Sequence, residues 1–359
     1  MTDAPLRLAI VGCGSIAPTH AEALASLPEA VLVACCDSLP TRAEAFAHKY
    51  GLRAASLDTL LADPGVDAVS VCTPSGLHAE VGVRALRAGK HVLVEKPMDV
   101  SLPACDALAQ AAGEAGRTLS VVSQHRFDPA SVRVKQSMTR GELGPLIYAD
   151  ARIPWFRTQE YYDSGDWRGT WALDGGGALM NQGVHTVDLL LWLCGPVQSV
   201  YAQARTLAHA RVEVEDIACA TLTFAGGAIG TLTASTALYP GFAARLGVHG
   251  TGGSAVIEGD TLALLAVRGQ DLIAGQDASS HALQVAQGGT NAATEQKGRS
   301  ASSHPAAVWG DAHRAQLADF IHCCRTGETP VVDARGARAA VELVLAVYQS
   351  AQTGQVVTL

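Results

Sequence analysis

Residues 6–17 read LRLAIVGCGSIA: an apolar run, a glycine turn and the opening of a helix in immediate succession. Leu6 to Val11 has the length and composition of a buried strand. Gly12 permits the tight turn, Gly14 lets a pyrophosphate approach the backbone, and Ala17 stands where a small residue allows close helix-to-strand contact. Ser15 and Ile16 complete the turn, and the helix behind them offers free amides and the positive end of its dipole to phosphate groups. Alone, a GxGxxA turn specifies little. Asp37 adds to it: 20 residues past Ala17, at the tip of the second strand, a carboxylate accepts both ribose hydroxyls and repels a 2′-phosphate. NAD is therefore expected as cofactor, with NADP disfavoured. A solvated acid in an ordinary loop is the competing explanation, and Arg42, a turn into the next helix, softens the preference.

The rhythm set by that stretch continues to residue 124. Strands are expected at Leu6 to Val11, Val31 to Cys36, Ala68 to Cys72, His91 to Val94 and Leu119 to Val122. Helical patterns lie between them, over Thr19 to Ser26, Thr41 to Tyr50, Ser56 to Ala62, Ala79 to Ala88 and Leu102 to Ala115. Alternation of this kind predicts an α/β fold with a doubly wound parallel sheet. Beyond residue 125 the pattern changes to a helix at Ala130 to Thr139, an extended run at Leu146 to Ile153 and a glycine-led helix from Ala178 to Leu193. Ile217 to Phe224 and Ala228 to Ala234 flank Ala225-Gly226-Gly227, a hairpin signature, so a mostly antiparallel second sheet is expected. The stretch 269–308 reads as a long surface excursion, and helices at Ala312 to Arg325 and Gly336 to Ala351 close the chain. Two domains follow, 1–125 for the cofactor and 126–359 for the substrate, in keeping with a length of 359 residues.

Composition narrows the function. With 26 basic and 34 acidic residues the chain has no general attraction for nucleic acid or anionic membranes. No apolar run approaches the ~20 residues of a membrane span, and no secretion signal opens the chain, so a cytoplasmic protein is expected. The nine cysteines show no CxxC spacing, which disfavours a zinc site or disulfide framework; no metal is expected, and they read as reduced, buried hydrophobes.

Two further stretches carry chemistry. Glu95-Lys96-Pro97 follows the strand His91 to Val94, so Lys96 arrives at the same carboxyl edge as the fingerprint, in company with Thr73-Pro74-Ser75-Gly76-Leu77-His78. Proline keeps the preceding lysine out of helical angles, and a desolvated lysine beside a cationic ring loses basicity. A surface lysine in a loop is the plainer explanation, as a polar helix-start residue is for His78. The run from Trp167 to Trp192, WRGTWALDGGGALMNQGVHTVDLLLW, places Asn181 and His185 four apart, on one helical face, with Asp188 three residues on to steer the histidine ring.

In order and spacing, GCGSIA, Asp37, TPSGLH, the EKP turn and GGGxxxNxGxHxxD resemble the Gfo/Idh/MocA oxidoreductases over essentially the whole chain. The resemblance implies an N-terminal Rossmann domain, a C-terminal α/β domain with an open antiparallel sheet that builds homodimers or homotetramers, Lys96 and His185 as the catalytic pair, and a cis Lys96-Pro97 bond. Gly12, Gly14, Ser15, Ile16, Asp37, Thr73, Pro74, His78, Glu95 and Lys96 then hold the cofactor. Many members carry aspartate four residues before the histidine, whereas this chain has Asn181, which hydrogen-bonds a hydroxyl and takes no proton. General-base work falls to His185 or Lys96.

WFRTQEYYDSGDWRGTWALDGG, MNQ and HTVDLLLW look like the branch of UDP-N-acetylglucosaminuronate 3-dehydrogenases. In that reading Arg157 and Arg168 offer forks for a carboxylate or diphosphate, Asn181 orients a substrate hydroxyl, and the aromatics between them stack on sugar or base or simply pack. A free-sugar or inositol dehydrogenase is the alternative within the class. A non-catalytic NAD(P)-binding sensor is the alternative outside it, against which the joint presence of Lys96 and His185 counts.

Overall fold

The computed structural model describes residues 4–270, 273–274 and 310–359. Most of the 269–308 stretch read as a surface excursion lies outside the described residues. The chain forms two compact units, one of Met1–Gln124, Gly165–Gly176 and Trp309–Glu342, the other of His125–Ser164, Gly177–Val308 and Leu343–Leu359. The first unit's opening segment ends at Gln124, and two later segments also belong to that unit.

That first unit is built on a six-stranded sheet of β1 (Leu6–Val11), β2 (Ala30–Cys36), β3 (Arg53–Ala54), β4 (Ala68–Val71), β5 (His91–Val94) and β6 (Leu119–Val121). The order is β3-β2-β1-β4-β5-β6, and every pairing is parallel. Its helices are α1 (Ala17–Ala25), α2 (Pro40–Tyr50), α3 (Leu57–Ala62), α4 (His78–Arg87) and α5 (Leu102–Ala115). Strand β4 is buried along its whole length, as covering a parallel sheet on both faces requires. Chain order reverses between β1 and β4, so their carboxyl ends diverge into a crevice, the ligand position of doubly wound sheets.

The sequence places residues 310–326 simply at the chain's end, whereas they pack into this first unit. Leu317, Phe320 and Ile321 join Leu8, Leu24, Leu27 and Leu93 in one apolar cluster, because burying the α1 side of the sheet takes a further apolar helix. Cys13, Cys35 and Cys72 lie in a second cluster with Ile10, Ala17 and Phe46. All nine cysteines are free; six are buried, while Cys194 and Cys324 are half-buried and Cys219 is exposed.

The second unit carries α6 (Pro129–Thr139), β7 (Leu146–Pro154), α7 (Gln159–Asp163), α8 (Val184–Cys194), β8 (Val197–Arg205), β9 (Ile217–Phe224), β10 (Ile229–Ser235), β11 (Arg245–Gly250), β12 (Gly253–Glu258), β13 (Thr261–Val267), β14 (Ile273–Ala274) and β15 (Val357–Thr358). The strands form one sheet in the order β14-β13-β12-β11-β7-β10-β9-β8-β15. Only β7 and β10 run parallel; the remaining pairings are antiparallel, among them the β9–β10 hairpin. One face is covered by α6 and α8. Toward the other face point Tyr201, Cys219 and Ile229, all exposed. Helices α9 (Gly310–Thr326) and α10 (Ala334–Thr353) complete the chain, and among the described residues no helix is long and apolar enough to cross a membrane.

Candidate active site

The fingerprint turn is shaped by contact with β4. Gly12 has φ +94, and a Cβ there would lie 2.6 Å from the Cys72 carbonyl oxygen, so only glycine fits. At Gly14 an added Cβ would meet no protein atom within 4 Å; packing within the chain does not demand that glycine, and the open backbone is the cradle a pyrophosphate needs. Ile16 caps α1 without a side-chain acceptor, and the first turn holds no acid, so the helix-start amides face no competing anion of their own. Asp37 accepts the backbone N–H of Cys13 at 2.8 Å and of Leu39 at 2.9 Å, with the Arg42 guanidinium 3.6 Å away. These residues fit a dinucleotide.

The two loops beyond β4 and β5 are tied together. His78 is fully enclosed, with Nδ1 2.7 Å from the Pro97 carbonyl and Nε2 3.0 Å from that of Thr73. Burial pushes its pKa below the ordinary value, against the pull of these two carbonyls. Packed between the two carbonyls, the ring links the TPSGLH turn to the EKP turn, donating to one of them when neutral. Gly76 donates to the Leu173 carbonyl at 2.9 Å, and a Cβ on it would collide with the Ala172 carbonyl oxygen. Asp99 accepts the Ala79 N–H at 2.9 Å, closing the start of α4. The Lys96-Pro97 peptide is cis, and Lys96 itself is half-buried.

Behind Lys96 the Glu95 carboxylate turns inward. Oε1 lies 2.8 Å from His20 Nε2, whose ring meets the Ser70 hydroxyl at 2.8 Å through Nδ1, and Oε2 accepts the Lys96 N–H at 3.1 Å. Burial alone would raise this carboxyl, but the His20 hydrogen bond and charge, with His313 and Lys96 nearby, hold it down at about 2. A depressed carboxyl stabilises the fold fully above its ordinary value of 4.5, and that contribution fades as pH falls toward 2. Glu95→Gln should accordingly melt below the parent at pH 6, and the two melting temperatures should converge as pH is lowered from 5 toward 3. A gap that stays constant across that range contradicts the pairing.

In the second unit, a regular α-helix expected from Ala178 gives way to a π-helical stretch over Ala178–Gly183 before α8 begins. The cause is Glu215. Its carboxylate accepts the N–H groups of Gly177 and Leu179 at 3.0 and 2.8 Å and the Tyr348 hydroxyl at 2.9 Å, while Tyr348 accepts from Met180 at 3.2 Å. These partners take up the opening donors and let Gln182 bond back five residues to Gly177. Burial pushes the Glu215 carboxyl above its usual range although the donors pull the other way. Asn181 thus leaves a widened turn, and its four-residue spacing from His185 is not that of an ideal α-helix.

Asn181 and His185 are both buried. Gln182 Nε2 donates to Asn181 Oδ1 at 3.0 Å and to the Tyr161 hydroxyl at 2.8 Å; its Oε1 accepts Arg157 Nη2 at 2.8 Å. Arg157 therefore reaches Asn181 through Gln182, and its guanidinium lies over Trp155 and Tyr161, 5.1 and 5.6 Å from the ring centroids. Asp188 takes a bidentate fork from Arg126, Nε to Oδ2 at 2.7 Å and Nη2 to Oδ1 at 2.6 Å. His125 meets the His185 ring edge to face. Arg168 belongs to the first unit with Lys96 and stacks over Trp167 at 4.5 Å.

Sequence reasoning missed His20, Arg126, His125, Gln182 and Glu215. Some local signal existed: QHRF begins at the carboxyl end of β6, Gln182 adjoins Asn181, and Glu215-Asp216 sets two acids just before an apolar strand.

Comparison with known proteins agrees with this architecture. The family described as oxidoreductase with an NAD-binding Rossmann fold, GFO_IDH_MocA, matches residues 6–123, and the GFO/IDH/MocA C-terminal domain matches 131–256. The WlbA dehydrogenase of Bordetella pertussis, solved with NADH and UDP-GlcNAcA, is 32% identical over 99% of both chains with a TM-score of 0.84. That of Chromobacterium violaceum, with the same ligands, is 34% identical over 100% of this chain and 97% of its own, with a TM-score of 0.82. The scyllo-inositol 2-dehydrogenase (NAD(+)) of Bacillus subtilis is 29% identical over 99% of this chain and 96% of its own. The chain belongs to the Gfo/Idh/MocA family of NAD-binding oxidoreductases, and the relatives it resembles include inositol and glucoside dehydrogenases.

Proposed function

We propose that this protein oxidises carbon 3 of a UDP-linked N-acetylated uronic acid. The observation that carries the reading is the whole-length likeness to two WlbA dehydrogenases, both solved with UDP-GlcNAcA. NAD, when bound, accepts the hydride. The carbon's C–H pair leaves as that hydride, and the hydroxyl proton goes to His185 or Lys96. Asn181 keeps a neighbouring hydroxyl in register, with Arg157 and Gln182 holding the amide in place. Arg168 supplies a cation for carboxylate or diphosphate. A second reading, oxidation of a free inositol, is favoured by the scyllo-inositol relative that spans the same length. As in the resemblance, a homodimer or homotetramer would cover the sheet face that exposes Tyr201 and Ile229.

The test is thermal shift at saturating NAD, comparing UDP-GlcNAcA, scyllo-inositol and free glucosides, since a ligand that binds only the folded state raises melting by mass action. UDP-GlcNAcA should stabilise most and produce reduced nicotinamide absorbance. Stabilisation and turnover confined to inositols would transfer the assignment to the second reading.

Asp37 tests the cofactor side. Asp37→Ala should weaken NADH binding about ten- to a hundredfold, the worth of hydrogen bonds to a charged group, and narrow the preference over NADPH, with Arg42 left to meet a 2′-phosphate. Fluorescence titration with both cofactors checks this; an equal loss for each would mean that Asp37 merely holds the Cys13 turn.

A further inference from the structure

The second unit holds a histidine that no step above uses. His125 sits in a short 3-10 turn, Gln124–Phe127. Its ring and that of His185 are 5.3 Å apart between centroids and cross at 86°. Nδ1 of His125 lies 2.7 Å from Asp128 Oδ2 and 3.4 Å from Asp260 Oδ1. Asp128 is buried at the start of α6, and Asp260 stands in the turn between β12 and β13. The third acid nearby, Asp188 of α8, has its charge balanced by the Arg126 fork.

A nitrogen facing two carboxylates must carry a proton, and two anions beside one ring favour its cationic form. We propose that His125, clasped by Asp128 and Asp260, is a positioning residue whose positive charge keeps His185 neutral and able to accept a proton at neutral pH. Burial opposes the charge on His125, but the hydrogen bond and charge of Asp128, with Asp260 and Asp188, raise its pKa above the ordinary 6.5. A cation about 5 Å from a second imidazole disfavours protonating that imidazole by roughly two pKa units at an effective dielectric near 20. The inference rests on the reading of His185 as proton acceptor, yet its NMR test needs no substrate.

Histidine ring resonances of the isotope-labelled full chain, followed by NMR against pH and assigned by His185→Asn and His125→Gln, read each ring separately. In the parent, His125 should be protonated at pH 7 and His185 neutral. In His125→Gln and in Asp128→Asn the His185 pKa should rise by about one unit or more. The acid limb of kcat/KM should move up with it. A neutral His125 at pH 7 in the parent overturns the proposal without any variant. An unmoved His185 titration in a folded variant does so too, and Asp128→Asn decides if His125→Gln does not fold. The proton-acceptor reading fails separately, if His185→Ala turns over normally.

Discussion

His185→Ala is expected to lower kcat about a thousandfold while leaving NADH affinity within a few fold. General acid–base catalysis contributes about 10²–10⁴, and Asn181, a side chain without a titratable proton acceptor, cannot substitute. The ring is buried on α8, in a different unit from the glycine turn of the fingerprint, which is why binding and turnover should separate. Lys96→Ala should cause a comparable loss, since the inward Glu95, which accepts the Lys96 backbone N–H, fixes where that lysine begins. Steady-state kinetics with NADH titration measure both effects. Near-parent turnover in both variants would remove the pair from catalysis.

Arg126→Leu is expected to cost about 3–5 kcal/mol of stability, the loss seen when one partner of a buried ion pair is removed. Both side chains are about 95% enclosed, so the Asp188 carboxylate would forfeit two short hydrogen bonds with little water to replace them. The guanidinium also lies 5.6 Å from the Trp192 ring, so packing is lost with the charge. Arg126→Leu combined with Asp188→Leu should recover part of the loss, because an apolar pair leaves no buried charge. Chemical denaturation measures both proteins. A single variant as stable as the parent would show that the pair contributes nothing net.

Much of the first unit was legible because its signals are local. Leu6–Val11 and His91–Val94 are strands at the expected residues, and helix α5 spans Leu102–Ala115 as read. Parallel strands buried on both faces read as continuous apolar runs, and a glycine turn announces itself. The second unit gave its hairpin for the same reason. It hid the parallel pairing of β7 with β10, whose partners lie 81 residues apart at Tyr148 and Ile229. No short window records which strand will lie beside which.

At the site, the sequence alone determined which chemical groups are available: a dinucleotide turn, a lysine before proline, an amide and a histidine four residues apart. Those follow from residue type and near-neighbour geometry. Tertiary structure decided their company. His20 meets Glu95 across 75 residues and Arg126 meets Asp188 across 62. Glu215 reaches the opening of the Asn181 helix from 36 residues beyond Leu179 and widens it into a π turn. Charge state and helix type at this site are set by partners that only folding brings within hydrogen-bond range, because electrostatic and hydrogen-bond energies depend on distance in space and not on separation along the chain.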